Sequence, residues 1–256
     1  MIERRTAPDG APISIAGLRV TRGSKELYRD FSIDFASGAV TALLAPSGGG
    51  KTTLLDGIAG LFQAGSGTIL APARVSYLFQ EPRLLPWCSI AKNIMLPVEK
   101  LLSAREAKER TDFFLEQVGL LCKAAALPAE CSGGERQRAA LARAFVYPSS
   151  VLLMDEAFQS QDFSLKLKLM ESAEALLSRE KRTVVLVTHD FREALCLADR
   201  IVVMTGSPLE IRLDIPGCGR ENSLLDRYAS PDESARTAER RILDVLCRAD
   251  AETENS

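Results

Sequence analysis

Four short runs constrain this chain more than anything else in it. Residues 40–44, 151–154, 183–187 and 201–204 are apolar almost without interruption. A strand with one face in water alternates apolar and polar residues, whereas a strand covered on both faces need not. Between these runs lie segments of helical character: Lys51 to about Gly60, Glu135 to about Tyr147, residues 165–177 and residues 191–198. Strands alternating with helices predict an α/β fold, a mostly parallel sheet with helices on both faces. Other stretches read differently. Residues 13–36 read as short strands, with Phe31, Ile33 and Phe35 alternating as in a half-buried antiparallel strand. After Gly65 and Gly67, residues 68–70 and 75–79 read as a strand pair. Prolines 82, 86 and 97 make the following part loop and short helix. Residues ~88–135 read as a helical insertion. Its main helix opens with the capping box Ser103–Glu106 and turns Phe113, Phe114 and Val118 inward. Residues 206–228 read as irregular, and residues 233–248 as an amphipathic helix with Ile242, Val245 and Leu246 on one face.

Charge and cysteine usage narrow the function classes. With 32 basic and 34 acidic residues the net charge is −2, which gives no global reason to expect a nucleic-acid partner. No apolar run approaches the ~20 residues that span a bilayer. No apolar segment follows Arg4 and Arg5 as it would in a signal peptide. A cytoplasmic protein is expected, with any membrane role exercised through a partner. Six scattered cysteines without CxxC spacing, and a single histidine, argue against a zinc site and for free thiols in a reducing compartment.

The first apolar run leads directly into APSGGGKTT, and a helix follows. Strand, glycine-rich turn and helix form the layout for holding a nucleotide's phosphates. Gly48, Gly49 and Gly50 let the backbone bring N–H groups up to an anion, and the helix start adds partial positive charge. Within Ser47–Thr53, Lys51 would reach the β- and γ-phosphates and the Thr52 hydroxyl would ligate Mg2+, with Thr53 in the same turn. Ala45 stands where the pattern G-x-x-x-x-G-K-[ST] has glycine, which is tolerable if its φ is negative. Asp155 and Glu156 end the second run. They are either a solvated turn or, beside a phosphate loop, a Mg2+ carboxylate and a group that polarises the attacking water. His189 and Gln80 each follow a strand. Each is either a solvated residue or a site residue, His189 at the γ-phosphate and Gln80 on a Mg2+-bound water. In CSGGERQR, Ser132 and Glu135 make a second capping box. Gly133 and Gly134 weaken a helix start by roughly 1 kcal/mol each relative to alanine. They make sense if an anion approaches their N–H groups. One nucleotide offers limited surface, so two copies arranged head to tail would sandwich each ATP between the loop of one and the Ser132–Gly134 turn of the other.

Over roughly residues 12–215 the chain resembles the nucleotide-binding subunit of ATP-binding cassette (ABC) transporters. APSGGGKT is similar to Walker A, Gln80 stands at the Q-loop position and CSGGERQR resembles the signature LSGGQ. VLLMDE resembles Walker B, Asp162 fits the D-loop and His189 the switch histidine. FQEPRLLPW further resembles ATPases of nitrate, sulfonate and taurine importers. The resemblance implies a P-loop NTPase core with an N-terminal antiparallel β subdomain (about 12–87 and 136–215). It also implies a helical subdomain (about 88–135) and leaves a C-terminal extension (216–256). It implies ATP and Mg2+ as cofactors, with Asp162 among the nucleotide-binding residues, and a homodimer. The partners would be integral membrane permease subunits at the inner face of the membrane and, indirectly, an extracytoplasmic solute-binding protein. Residues 81–94 would line the permease groove, with Trp87 either an anchor there or ordinary core. Departures from the family pattern are Ala45, Cys131 for leucine, Ala157 for proline, and the lead-in Gln159-Ser160-Gln161. No aromatic stands near Arg22 to stack on adenine, which leaves the Arg22 guanidinium or Tyr28. Two other readings stay open: a soluble ABC-type ATPase acting on DNA or ribosomes, and an ATP-gated clamp that scarcely hydrolyses.

Overall fold

A computed structural model of the chain describes residues 1–46, 48–62, 65–159, 162–219 and 222–254. In chain order its elements are β1 (Glu3–Ala7), β2 (Ile13–Arg22), β3 (Lys25–Phe35), β4 (Val40–Leu44), α1 (Lys51–Ala59), β5 (Ser66–Pro72) and β6 (Val75–Leu78). There follow α2 (Ile90–Met95), α3 (Ala104–Gln117), α4 (Gly133–Val146), β7 (Val151–Asp155), α5 (Phe163–Arg179), β8 (Thr183–Thr188), α6 (Phe191–Leu197), β9 (Arg200–Thr205), β10 (Glu210–Pro216), α7 (Leu224–Ala229) and α8 (Glu233–Glu254).

The four apolar runs become neighbouring strands of a six-stranded sheet ordered β10-β9-β4-β8-β7-β6. All its pairings are parallel except β10 on β9. Burial on two faces explains the missing alternation. In β4, Val40, Ala42 and Leu44 enter one core while Leu43 enters the other. In β8, Val184 and Leu186 go one way and Val185 and Val187 the other. The first core holds the inner faces of α4, α5 and α6, together with Ile90, Ile94 and Phe114 of the inserted helices. The second holds Leu54, Leu55 and Ile58 of α1 and the inner face of a second sheet, ordered β1-β5-β2-β3. That sheet has a wet face, so β3 does alternate: Phe31, Ile33 and Phe35 are buried and the residues between them exposed.

Four readings need correction, and one strand, β1, is not read from the sequence at all. The segments at 68–70 and 75–79 are not a pair: β5 lies between β1 and β2, whereas β6 pairs with β7 in the other sheet. β1 runs parallel to β5 and shows no apolar alternation by which to find it. Phe113 is half out of the core while Phe114 and Val118 are buried, because adjacent helical residues point about 100° apart. Residues 206–228 hold both β10 and α7. Trp87 is 74% exposed and so is not core. The C-terminal helix α8 buries Ile242 fully, with Val245 and Leu246 packed against the first core. Among the described residues, no helix is long and apolar enough to cross a membrane.

Candidate functional site

The register of the parallel strands aligns their C-terminal ends. Leu44 lies beside Thr188, Val187 beside Asp155, and Met154 beside Leu78. The glycine-rich loop, His189, the Asp155–Glu156 pair and Gln80 therefore emerge along one edge of the sheet, where ligands bind in such folds.

The loop after β4 turns through Gly48 at φ 72° and Gly50 at φ 100°, both left-handed. Gly50 begins α1 without any side-chain cap, so the first-turn N–H groups are left to another acceptor. Ala45 is buried and is not among the non-glycine residues of positive φ, so the departure there carries no backbone strain. Lys51 is buried, donating to the carbonyls of Ala45 at 2.6 Å and Pro46 at 3.0 Å, with Glu156 Oε1 at 3.8 Å. Burial lowers its basicity, against the pull of Glu156 and Asp155. Thr52 donates its hydroxyl to Asp155 Oδ2 at 2.8 Å. Burial holds Asp155 above the usual carboxylate range, opposed by that hydrogen bond. A hydroxyl and one carboxylate in contact are hard oxygen donors. They fit Mg2+, which shares its remaining positions with water and substrate phosphates. Among the described residues no cluster of three histidine, cysteine or acidic side chains offers a site for a softer metal. Thr53 is buried one residue further on, and Ser47 lies outside the described residues.

A cleft of about 480 Å³ opens above this loop, with Arg22, Leu27, Gly48, Lys51, Thr52 and Glu156 among its walls. Tyr28 is fully buried and donates to the Gly50 carbonyl at 3.0 Å, so it supports the loop from below and is not placed to stack on a base. Arg22 lies at the cleft, its guanidinium 5.9 Å from the Phe62 ring centre.

Glu156 takes a left-handed φ of 46°, rare for a residue with a side chain and frequent at functional sites. Its N–H is tied to the Val187 carbonyl at 2.9 Å. His189 Nδ1 stands 3.8 Å from Glu156 Oε1. Gln80 is held twice: its carbonyl accepts from Gln137 of α4 at 3.0 Å, and its side-chain amide donates to Gln159. Gln159 also donates to Glu156 Oε2 at 2.8 Å and lies 3.4 Å from His189 Nδ1. Among the described residues it thus joins the three site side chains, and the sequence shows it only as an unusual lead-in. Behind His189, Lys166 of α5 pairs with Asp190 and with Glu193, the latter at 2.7 Å. Burial alone would raise Asp190, but Lys166 outweighs it and holds that carboxyl below its usual range. Tyr228 of α7 reaches Asp190 at 3.4 Å and meets the Phe163 ring edge-on at 5.2 Å.

The second candidate corner, at α4, lies elsewhere. Ser132 and Glu135 form the expected reciprocal cap, at 3.2 Å and 2.7 Å. A Cβ on Gly134 would lie 2.9 Å from Leu165, so packing on α5 accounts for that glycine; a Cβ on Gly133 would meet only an arginine end at 4.0 Å. Asp162 caps α5, accepting from Leu165 N–H at 2.9 Å. Among the described residues, none of 131–138 lines the cleft over the glycine-rich loop. Gly133 and Gly134 instead border a separate hollow of about 260 Å³, together with Gln137 and Gln159.

Comparison with known proteins agrees with this layout. The family profile described as "ABC transporter" matches residues 28–159. The chain is 39% identical over 215 residues to the aliphatic sulfonates import ATP-binding protein SsuB 2 of Pseudomonas savastanoi pv. phaseolicola, covering 83% of this chain and 79% of that one. It is 40% identical over 221 residues to SsuB 1 of Xanthomonas axonopodis pv. citri (81% and 87%) and 44% identical over 182 residues to SsuB of Delftia acidovorans (70% and 74%). The fold matches the solved dimeric, post-hydrolysis structure of the ATP-binding cassette MJ0796 bound to ADP and Pi. The TM-score is 0.70 at 23% identity, covering 81% of this chain and 99% of that one.

Proposed function

The chain belongs to the ABC transporter family, and from that premise we propose that it is the ATP-binding, ATP-hydrolysing subunit of an importer. Two copies close around two MgATP and drive a small solute of the sulfonate, nitrate or taurine kind through a separate membrane permease. Its place is then cytoplasmic, on the inner face of the membrane, with an extracytoplasmic binding protein delivering the solute and no nucleic acid involved.

In this reading the N–H groups of Gly48, Gly49 and Gly50 cradle the phosphates, with Ser47 and Thr53 beside them. Lys51 leaves its backbone carbonyls for the β- and γ-oxygens. Thr52 and Asp155 would hold Mg2+, with Gln80 placed toward its water; when bound, the ion would supply charge neutralisation on the γ-phosphoryl group. Glu156 orients and polarises the attacking water, and His189 contacts the γ-phosphate. Ser132, Gly133 and Gly134 close the site from the second copy, with Asp162 near the seam.

One observation carries the reading: the phosphate loop, Thr52 and Glu156 line a single cleft, with Asp155 hydrogen-bonded to Thr52, while Gly133 and Gly134 border a separate hollow on the same protomer. The test uses the Glu156→Gln variant, in which bound ATP should persist because the group that polarises the attacking water is lost. With MgATP it should run as a dimer in size-exclusion chromatography. Adding Ser132→Arg should leave it a monomer that still binds ATP. A dimer indifferent to Ser132→Arg would overturn the shared-site arrangement.

A further inference from the structure

An amide side chain has a donating end and an accepting end, and its surroundings decide which faces where. Gln159 lies against Glu156, Gln80 and His189. Carboxylate oxygens only accept, so the Gln159 NH2 must be the end that faces Glu156, at 2.8 Å. Its carbonyl oxygen then faces Gln80, which must present its own NH2 in return. With the Gln80 NH2 committed to Gln159, its side-chain oxygen Oε1 is the end to which a metal-bound water would donate. The second hydrogen of the Gln159 NH2 lies toward His189 Nδ1 at 3.4 Å. A ring nitrogen that accepts from this N–H carries its lone pair there, which puts the neutral ring's proton on Nε2; Glu156 Oε1 stands further from the same nitrogen, at 3.8 Å, and pulls the other way.

The geometry points to Gln159 as a positioning residue that sets, in one move, the amide orientation of Gln80, the tautomer of His189 and the aim of the Glu156 carboxylate. It touches no phosphate itself. On the ATPase reading above, it gives each of the three its working polarity: an acceptor toward the metal's water, an N–H donor toward the γ-phosphate, and a carboxylate held over the cleft.

His189 is the only histidine in the chain, so its ring nitrogens can be read by 15N NMR in the full-length protein without assignment, provided no polyhistidine tag is present. At alkaline pH the ring of the unaltered protein should be protonated at Nε2 with Nδ1 accepting. In Gln159→Glu the neighbour can only accept, and Nδ1 should gain a proton. In Gln159→Met both tautomers should appear. For Gln159→Met, ATP turnover should fall about tenfold with KM for ATP within about twofold, the signature of lost alignment rather than lost binding. A His189 ring protonated at Nδ1 in the unaltered protein, or a ring unmoved in Gln159→Glu, would overturn the inference. The ring measurement needs no hydrolysis. If the unaltered protein hydrolysed nothing, the ATPase reading would fail while the tautomer result still stood on its own.

Discussion

Two helices in this molecule start on glycines, and they start in opposite ways. α1 begins at a left-handed Gly50 with no side-chain cap, a buried lysine and no acidic residue in its first turn. α4 begins with a complete capping box, and Glu135 is kept ionised by the Ser132 N–H it accepts from. The first corner offers no side-chain cap to its first-turn N–H groups, although Gly49 N–H donates to the Pro46 carbonyl at 3.3 Å, and it fits an anion. The second is already satisfied as a helix start and carries a negative charge besides. What it retains is the Ser132 hydroxyl hydrogen, since that oxygen accepts from Glu135 N–H and can still donate. On the proposed function, the first corner binds by itself and the second contributes only when a phosphate is brought to it.

That contrast is exposed to four measurements. The largest effect belongs to Lys51→Ala, which should weaken ATP binding by about 10- to 100-fold and lower turnover about a thousandfold, read by equilibrium titration and phosphate release. Ser132→Ala should leave the affinity of an isolated protomer unchanged and reduce turnover about tenfold. It should also cost about 1 kcal/mol of stability through the lost cap, measured by urea unfolding. Weakened ATP binding by the Ser132→Ala monomer would erase the distinction between the corners.

Asp155→Asn sharpens the same comparison from the side of stability. A carboxyl raised by burial costs stability where it is ionised, above its folded value, and the cost vanishes as pH falls below its unfolded value. Without nucleotide, Asp155→Asn should therefore be the more stable protein at neutral pH, by less than about 1 kcal/mol. Urea unfolding should show the difference closing below about pH 4, while turnover is lost throughout. The smallest effect is expected of Gly133→Ala, where the added Cβ meets almost nothing. Helix propensity should raise stability by up to ~1 kcal/mol, yet turnover should fall because the methyl stands where phosphate must approach. A rise in both would mean that Gly133 serves no ligand.

The parts legible in the sequence were those with a local signature. Uninterrupted apolar runs announced strands covered on both faces, and Phe31, Ile33 and Phe35 announced one with a wet face. Both capping boxes were visible because their partners lie three residues apart. What escaped was non-local. β1 gains its place from β5, more than sixty residues away, and its ERRTA segment exposes most of its side chains. Residues 68–70 and 75–79 read as a strand pair because two β segments stand close in sequence, yet they separate into different sheets. Tyr28 was a candidate for stacking until its hydroxyl proved to be committed to Gly50. Gln159 touches residues 79, 3 and 30 positions away, and no periodicity reports such a meeting.

Tyr228 joins the last quarter of the chain to the turn that bears the histidine, through the same Asp190 carboxylate that pairs with Lys166 of α5. Grafting the end of a relative onto this chain would therefore transplant part of the scaffolding behind His189. A chimera of that kind should change how quickly spent nucleotide leaves before it changes how tightly fresh nucleotide is taken up.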